Sequence, residues 1–167
     1  MAATYTPIAS ITLGTATTTV NFTSIPQTYT DIVVASSIQV SGNVNVFMTF
    51  NSDSGANYSF TLLQGDGSTA SSGRVTGQTR IQLDSVAYPP FSGSSFAPGI
   101  VHINNYSNAT TYKTALIRAN NSAVGVSAFA GLWRSTAAIS TITFVAGAVN
   151  FAVGSTFTLY GIQAGNA

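Results

Sequence analysis

The chain has 167 residues and a net charge of +1, and Asp, Glu, Lys and Arg together make up 5% of it, where about 25% is usual in soluble proteins. A chain of this length fits one domain, residues 1–167, with a single hydrophobic core. Its five Lys and Arg residues are too few to neutralise a phosphate backbone or an acidic membrane surface, so neither nucleic acid nor a membrane is an expected partner. Without cysteine, no disulfide framework or thiolate metal site can hold the fold.

The amino-terminal run MAATYTPIASITL lacks the basic start and continuous apolar stretch of a secretory signal. No other segment approaches the ~20 apolar residues of a membrane-spanning helix. We therefore expect synthesis in a cytoplasm without export or membrane insertion.

A period of two in the apolar residues, with turn residues about every 10 positions, predicts an all-β protein. In TVNFT, Val20 and Phe22 point to one side and the polar residues to the other. The runs DIVVASSIQV, VNVFMTF and NYSFTLL, which follow in that order, alternate in the same way. We expect these three runs to form a meander, with residues 50–60 as a hairpin connection.

The segment FNSDSGANYSF, residues 50–60, contains four residues that could supply oxygen ligands or a turn: Asn51, Asp53, Gly55 and Asn57. A calcium loop needs carboxylates at alternating positions and a closing Glu, whereas this segment has one Asp and the chain has no Glu. We interpret these residues, and the run GDG at 65–67, as turn residues.

The middle of the chain is predicted to be poor in strands. Residues 64–77, QGDGSTASSGRVTG, contain four glycines, which is typical of a long exposed connection. The run RIQLDSV follows as a predicted strand. Residues 87–99, AYPPFSGSSFAPG, contain three prolines, which argue against a central strand and favour a loop or a sheet edge.

The second half resumes with five alternating runs: IVHINNY, YKTALIRA, VSAFAGLW, STITFV and STFTLYGI. Both halves together give about ten strands. This count and the long central connection favour an all-β fold, an antiparallel two-sheet sandwich that is jelly-roll-like, with extra edge strands added to an eight-stranded jelly roll.

Candidates for catalysis are few. His102 is the one histidine; it lies in the predicted strand IVHINN, and no Gly-x-Ser-x-Gly elbow accompanies it, so a Ser-His-Asp site could form only by assembly in space. The aspartates Asp31, Asp53, Asp66 and Asp84 lie at strand starts or turns, where Asp is a frequent structural choice. We predict no enzyme activity, no cofactor and no metal site.

Three aromatic residues are candidates for binding surfaces. Trp133 precedes Arg134 and could stack on it or form a sugar platform, but packing in or at the rim of the core is the favoured interpretation. Tyr88 and Phe91, in the Pro-rich segment, are better candidates for an exposed patch that contacts another protein. The alternative is that they fix this loop to the sandwich.

Four runs of the chain carry a resemblance to a known group of proteins: SIPQTYTDIVV, MTFNSDSGANYSFTLLQGDGS, GLWRSTAAISTITF and NFAVGSTFTLYGI. They resemble small β-rich proteins encoded among the structural genes of tailed bacteriophages. The resemblance spans residues 24–162 and is weakest over residues 74–99. It implies a component of the virion, either a capsid decoration (cement) protein or part of a tail fibre, and it transfers no catalytic residue.

For a cement protein, the resemblance implies the outer capsid surface as the location and the major capsid protein as the partner. It also implies a homo-oligomer, a trimer, because cement proteins usually occupy three-fold positions. Residues 1–7 and the central loops are the expected contact surfaces. The alternative is a tail-fibre module that recognises host surface carbohydrate, which needs exposed aromatic residues and polar groups converging in a groove.

Overall fold

The computed structural model describes residues 4–84 and 90–163, and within these residues the regular structure consists of twelve strands in two antiparallel sheets. The predicted all-β, two-sheet sandwich is therefore confirmed. The strands are β1 (Tyr5–Thr12), β2 (Thr19–Phe22), β3 (Asp31–Ile38), β4 (Phe47–Phe50), β5 (Tyr58–Gly65), β6 (Ala70–Gln78), β7 (Ile81–Gln82), β8 (Ala97–Asn104), β9 (Lys113–Asn121), β10 (Gly125–Trp133), β11 (Ile142–Val145) and β12 (Thr156–Ile162).

Eight of these strands form a jelly roll. Strand β1 pairs with β12, β2 with β11, β3 with β8 and β4 with β7, so the first strand meets the last and each later pair nests inside the previous one. Successive pairs alternate between the larger and the smaller sheet. This is the pairing of one long hairpin rolled into two sheets, as in jelly rolls.

Four further strands extend the larger sheet. Strands β5 and β6 are inserted between β4 and β7, and β9 and β10 between β8 and β11. They continue the sheet beyond β8, which gives the order β1-β12-β3-β8-β9-β10-β5-β6, whereas the smaller sheet keeps the order β2-β11-β4-β7. The predicted extra strands are confirmed, and they make one sheet twice as wide as the other.

The predicted meander of three strands is wrong. Strands β3 and β5 both belong to the larger sheet but do not pair, and β4 belongs to the smaller sheet. Residues 51–57 therefore cross between the sheets and do not close a hairpin. The pattern of alternation is the same in both arrangements, because it reports which face of a strand is buried and not which strand lies beside it.

The predicted connection at residues 64–77 also contains a strand. Strand β6 pairs with β5 without interruption from Ala70 to Val75 and again at Gln78, after a register shift. Most of its side chains are exposed on both faces. An edge strand that buries neither face has no hydrophobic period. The Ser, Thr and Gly residues of β6 therefore predicted a loop from the sequence. Strand β1, which was not predicted, is an edge strand as well. Of the predicted strand RIQLDSV, residues 80–86, the described part contains the two-residue strand β7, and residues 85 and 86 lie outside the described residues.

Pro98 lies in a central strand, contrary to the prediction for residues 87–99. It is the second residue of β8 and pairs with Ser37 of β3, but pairing of β8 with β9 begins only at Gly99. The proline therefore stands where the strand still has one neighbour, a position at which a missing N–H is tolerated.

The core lies between the two sheets, and most of the residues predicted to point inward are buried in it. Phe144 of the smaller sheet packs against Phe157 of the larger one, with ring centroids 5.3 Å apart. Phe151 meets Phe157 edge-on at the same distance. Val44 and Leu62, which alternation also places on the inward side, are partly buried. The residues that alternation places inward and that are buried are Val20, Phe22, Ile32, Val34, Ile38, Val40, Val46, Met48, Phe50, Tyr58 and Phe60.

Gly161, on the inner face of β12, lies beneath the ring of Tyr29, and a Cβ at this position would fall on the ring atoms. Replacing Gly161 by alanine is expected to displace the ring and to lower the free energy of unfolding by about 1–3 kcal/mol, measured by urea titration. In a Tyr29→Ala background the same replacement should be nearly neutral. Equal losses in both backgrounds would contradict this packing.

Candidate functional site

The outer face of the larger sheet carries a broad apolar groove, here called the trough. It has a volume of about 660 Å³ and takes side chains from seven strands, from β1 across to β5. Side chains alternate between the two faces of a strand. Ala115 and Ile117 of β9 face the core, so Leu116 between them points outward. The walls and floor include Tyr5, Tyr160, Ile100, Leu116, Leu63 and Ala128.

Large apolar side chains in the trough are open to solvent. Leu63 is 63% exposed, Leu116 60% and Tyr5 53%. Leu116 stands between His102 on β8 and Ala130 on β10, which are its direct cross-strand neighbours. The larger sheet therefore presents several large apolar side chains to solvent on one face, which is typical of surfaces that contact another molecule.

A histidine–aspartate contact lies on the outer face of the larger sheet, between the neighbouring strands β3 and β8. His102 Nε2 is 3.4 Å from Asp31 Oδ2, and Asp31 Oδ1 accepts the backbone N–H of Asn105 at 2.7 Å. The imidazole sits between Val33 and Leu116 on the adjacent strands. In the described part of the chain no serine hydroxyl is hydrogen-bonded to His102, so these residues do not assemble the Ser-His-Asp arrangement considered from the sequence.

Arg118 places a positive charge in the trough. It points outward from β9 between Ile100 and Ala128, its cross-strand neighbours, and lines the trough. Among residues 4–84 and 90–163 no carboxylate lies within ion-pair distance of its guanidinium. A carboxylate brought by a binding partner would therefore find an available cation among apolar side chains.

The crossover between β4 and β5 is organised around Asp53. Its Oδ2 accepts hydrogen bonds from Trp133 Nε1 at 2.6 Å and Asn57 Nδ2 at 2.9 Å, and its Oδ1 accepts the Gly55 N–H at 2.8 Å. The indole bond above all holds the pKa of Asp53 below its usual value. Both carboxylate oxygens are thus engaged in fixing this loop and the indole ring.

Asn51 continues the same network. It adopts a positive φ of 51°, its Oδ1 accepts the Ser140 N–H at 2.9 Å, and its Nδ2 donates to the Ala138 carbonyl at 2.8 Å. The crossover loop is thereby fixed to the connection that precedes β11.

The remaining aspartates are dispersed. Asp66 Oδ1 accepts the N–H groups of Ser68 and Thr69 in the turn between β5 and β6. Asp84 is fully buried and accepts the Val46 N–H at 2.7 Å; burial raises its pKa to about 7. Across the described ranges no three His, Cys, Asp or Glu side chains form a cluster that could hold a metal.

Two of the three aromatic candidates from the sequence, Trp133 and Phe91, do not line the trough. Trp133 is buried, stacks on Tyr58 with ring centroids 6.2 Å apart, and packs in the core as favoured from the sequence. Phe91 is also buried, against Gly99, so it fixes its loop to the sandwich and the prediction of an exposed patch at Phe91 is wrong. Tyr88 lies outside the described residues.

Apart from His102 and Tyr5, the residues that line the trough were not singled out from the sequence. The available signal was adjacent apolar residues within strands, such as Leu62 and Leu63 or Leu116 and Ile117. In a strand two neighbours cannot face the same side, so each pair predicts apolar residues on both faces of the sheet. Of the predicted contact segment 1–7, residues 1–3 lie outside the described residues, and Tyr5 lines the trough.

Comparison of the chain with protein families, with curated proteins and with solved structures found no match. In the part of the chain that the structure describes, no helix has the length and apolarity needed to cross a membrane.

Proposed function

We propose that this protein is a structural component of a tailed-bacteriophage virion, a capsid decoration (cement) protein that binds the major capsid protein on the outer surface of the shell. The observation that carries the proposal is the exposed apolar trough, with Leu63 and Leu116 more than half exposed. The resemblance of four runs of the chain to phage structural proteins supports the class of particle, and the exposure of the trough supports its role as the docking surface.

The size of the trough face fits a stable contact. Seven neighbouring strands make a face about 29 Å wide, and strands of eight residues make it about 26 Å tall. Complete coverage would bury an area close to the ~800 Å² per partner of standard interfaces. Because charged residues make up 5% of the chain, the contact would depend little on salt.

The proposal includes association of copies as a trimer around three-fold positions of the capsid lattice. A closed ring places identical surfaces in equivalent positions, so three troughs would face the shell together. Avidity then lets a modest contact per copy hold the assembly.

The test is an add-back experiment with virions that lack the protein. Replacing Leu116 by Asp puts a charge in the trough, and we expect at least a tenfold loss in copies bound per particle, measured by gel densitometry. Asn120→Asp is the matched control, because Asn120 is exposed on the same strand but outside the trough. Equal binding of both variants, or no binding of the wild-type protein to virions, would contradict the proposal.

A second candidate function is recognition of host surface carbohydrate by a tail-fibre module. The observation in its favour is that Tyr5 and Tyr160 meet edge-on in the trough, with centroids 6.1 Å apart, on the face that also carries the His102–Asp31 pair. Aromatic faces beside polar groups are the usual elements of a sugar site. Binding on a glycan array that is lost in Tyr160→Ala would favour the fibre, whereas a blank array with shell binding would favour the decoration protein.

A further inference from the structure

Strand β6 forms one edge of the larger sheet and has an unusual composition for an exposed edge. Its nine residues, ASSGRVTGQ, contain no proline, lysine or acidic residue. It pairs with β5 on one side, and no described strand pairs with its other side. Natural proteins usually protect a long free edge with charges, proline or a bulge, because its unpaired backbone groups are a template for another strand.

The hydrogen-bonding direction along β6 follows from two observed bonds. Arg134 N–H donates to the Asn57 carbonyl, and Asp66 N–H donates to the Thr69 carbonyl. Paired residues of antiparallel strands alternate between bonded and non-bonded positions. Asp66 and Thr69 form a bonded pair, so every second pair from there is bonded as well. The backbone N–H and C=O groups of Ser71, Gly73 and Val75 therefore point toward β5. The backbone N–H and C=O groups of Ala70, Ser72 and Arg74 therefore point away from the sheet.

The other edges of the two sheets are blunted. Strand β1, at the opposite edge of the larger sheet, contains Pro7, and its register shifts between Pro7 and Ala9. The smaller sheet ends in β2, which has four residues, and β7, which has two. Strand β6 carries one charged residue, Arg74, and its pairing with β5 shifts register between Tyr58 and Phe60. Its first six residues, 70–75, nevertheless pair with β5 without a shift, and they are the longest regular stretch of free edge among the described strands.

We infer that β6 pairs with β6 of a second copy of this chain, antiparallel about a two-fold axis through Ser72. The outward groups are symmetric about this residue, so Ser72 meets Ser72 of the second copy and Ala70 meets Arg74 in both directions. Each of these three pairs can exchange two N–H···O=C bonds. The result is one continuous sheet through both copies.

The side chains of β6 allow this approach. The outward set shares the face that carries the trough, because Ser72 stands opposite Leu63 and Arg74 opposite Thr61 on β5. Ala70 and Ser72 are small, and in the symmetric register each Arg74 faces Ala70, so the two arginines are not direct neighbours. An isologous contact of this type closes as a dimer.

The inference is tested by the mass in solution and by amide exchange. If β6 pairing is the only contact between copies, light scattering of the wild-type protein should show twice the chain mass of 17.2 kDa. In Ser72→Pro we expect the dissociation constant to rise about 100-fold, because two intermolecular bonds are lost while β5–β6 pairing is kept. The control is Thr12→Pro, an exposed position on the other edge strand. The same loss in both variants, or in neither, would overturn the inference.

Amide hydrogen exchange resolves the individual residues. The N–H groups of Ser72 and Arg74 should be protected at high protein concentration and exchange rapidly on dilution. Those of Ser71, Gly73 and Val75 should be protected at both concentrations, because they are bonded to β5. Rapid exchange of Ser72 and Arg74 at every concentration would exclude the pairing.

A charge exchange at Ser72 tests the two-fold register. Ser72→Asp and Ser72→Lys should each weaken self-association, since identical charges would meet at the axis. Mixing the two variants should restore it as a heterodimer. If the mixture stays as dissociated as its components, the register is wrong.

This contact is separable from the proposed capsid binding. It uses the edge of the larger sheet, whereas shell binding uses the trough, so Leu116→Asp should leave the exchange of Ser72 unchanged. The trimer proposed above would also raise the mass in solution. Because it does not depend on β6, it would persist in Ser72→Pro.

Discussion

The protein is expected to become less stable as the pH rises from about 4 to about 7. Asp84 is fully buried, and burial raises its pKa from 3.8 to about 7. Over this range the folded chain keeps the Asp84 proton and the unfolded chain releases it, so raising the pH favours unfolding. At about 1.4 kcal/mol per pKa unit, the loss of unfolding free energy across the range is about 4 kcal/mol.

Urea titrations at intervals between pH 4 and pH 8 check this result. Asp84→Asn is the control, because its side-chain oxygen can still accept the Val46 N–H but cannot ionise. The variant should show a much flatter profile and be more stable than the wild type at pH 8. A wild-type stability that rises steadily from pH 4 to pH 7 would contradict the protonated state of Asp84.

Replacing Asp53 by alanine is expected to lower the free energy of unfolding by about 3 kcal/mol. The replacement removes the acceptor of the Trp133 indole N–H and leaves this donor of a buried side chain unpaired. It also removes the acceptor of the Asn57 amide and the Gly55 N–H, which hold the crossover loop. Thermal or urea unfolding followed by Trp133 fluorescence measures the change.

Asp66→Ala is the matched control for Asp53, since Asp66 also accepts two backbone N–H groups but in an exposed turn. A loss below about 1 kcal/mol is expected there. The pH dependence of Asp53 has the opposite sign to that of Asp84: its pKa is lowered, so its contribution is present above pH 3.8 and is lost as the pH falls further. Equal losses in the two alanine variants would show that the indole bond contributes little.

The strands that bury one face were predictable from the sequence. In TVNFT and STITFV one side is apolar and the other polar, and both runs form strands with the expected faces buried. The two edge strands β1 and β6 were missed because an edge can expose both faces, and Ala70–Gln78 accordingly has no hydrophobic period. Alternation reports burial, so it detects a strand only where one face is covered.

The site was less predictable than the fold. Catalytic and metal candidates are individual residue types that can be counted in a sequence, whereas the trough consists of ordinary Leu, Ala, Val and Tyr residues. Leu116 and Leu63 belong to strands that are distant in the chain, and β10 lies between those strands in the larger sheet. Only the strand order brings these side chains onto one face.

The sequence by itself determined that this chain folds as two layered sheets, because alternation and turn spacing act locally and recur along most of the chain. It also determined that few charged side chains are available for a contact with a partner, since they make up 5% of the chain. The tertiary structure decided the nested pairing, the four strands that widen one sheet, and hence the trough and the free edge at β6. Pairing partners are selected by packing between residues far apart in the chain, and a period of two is the same whichever strand lies alongside.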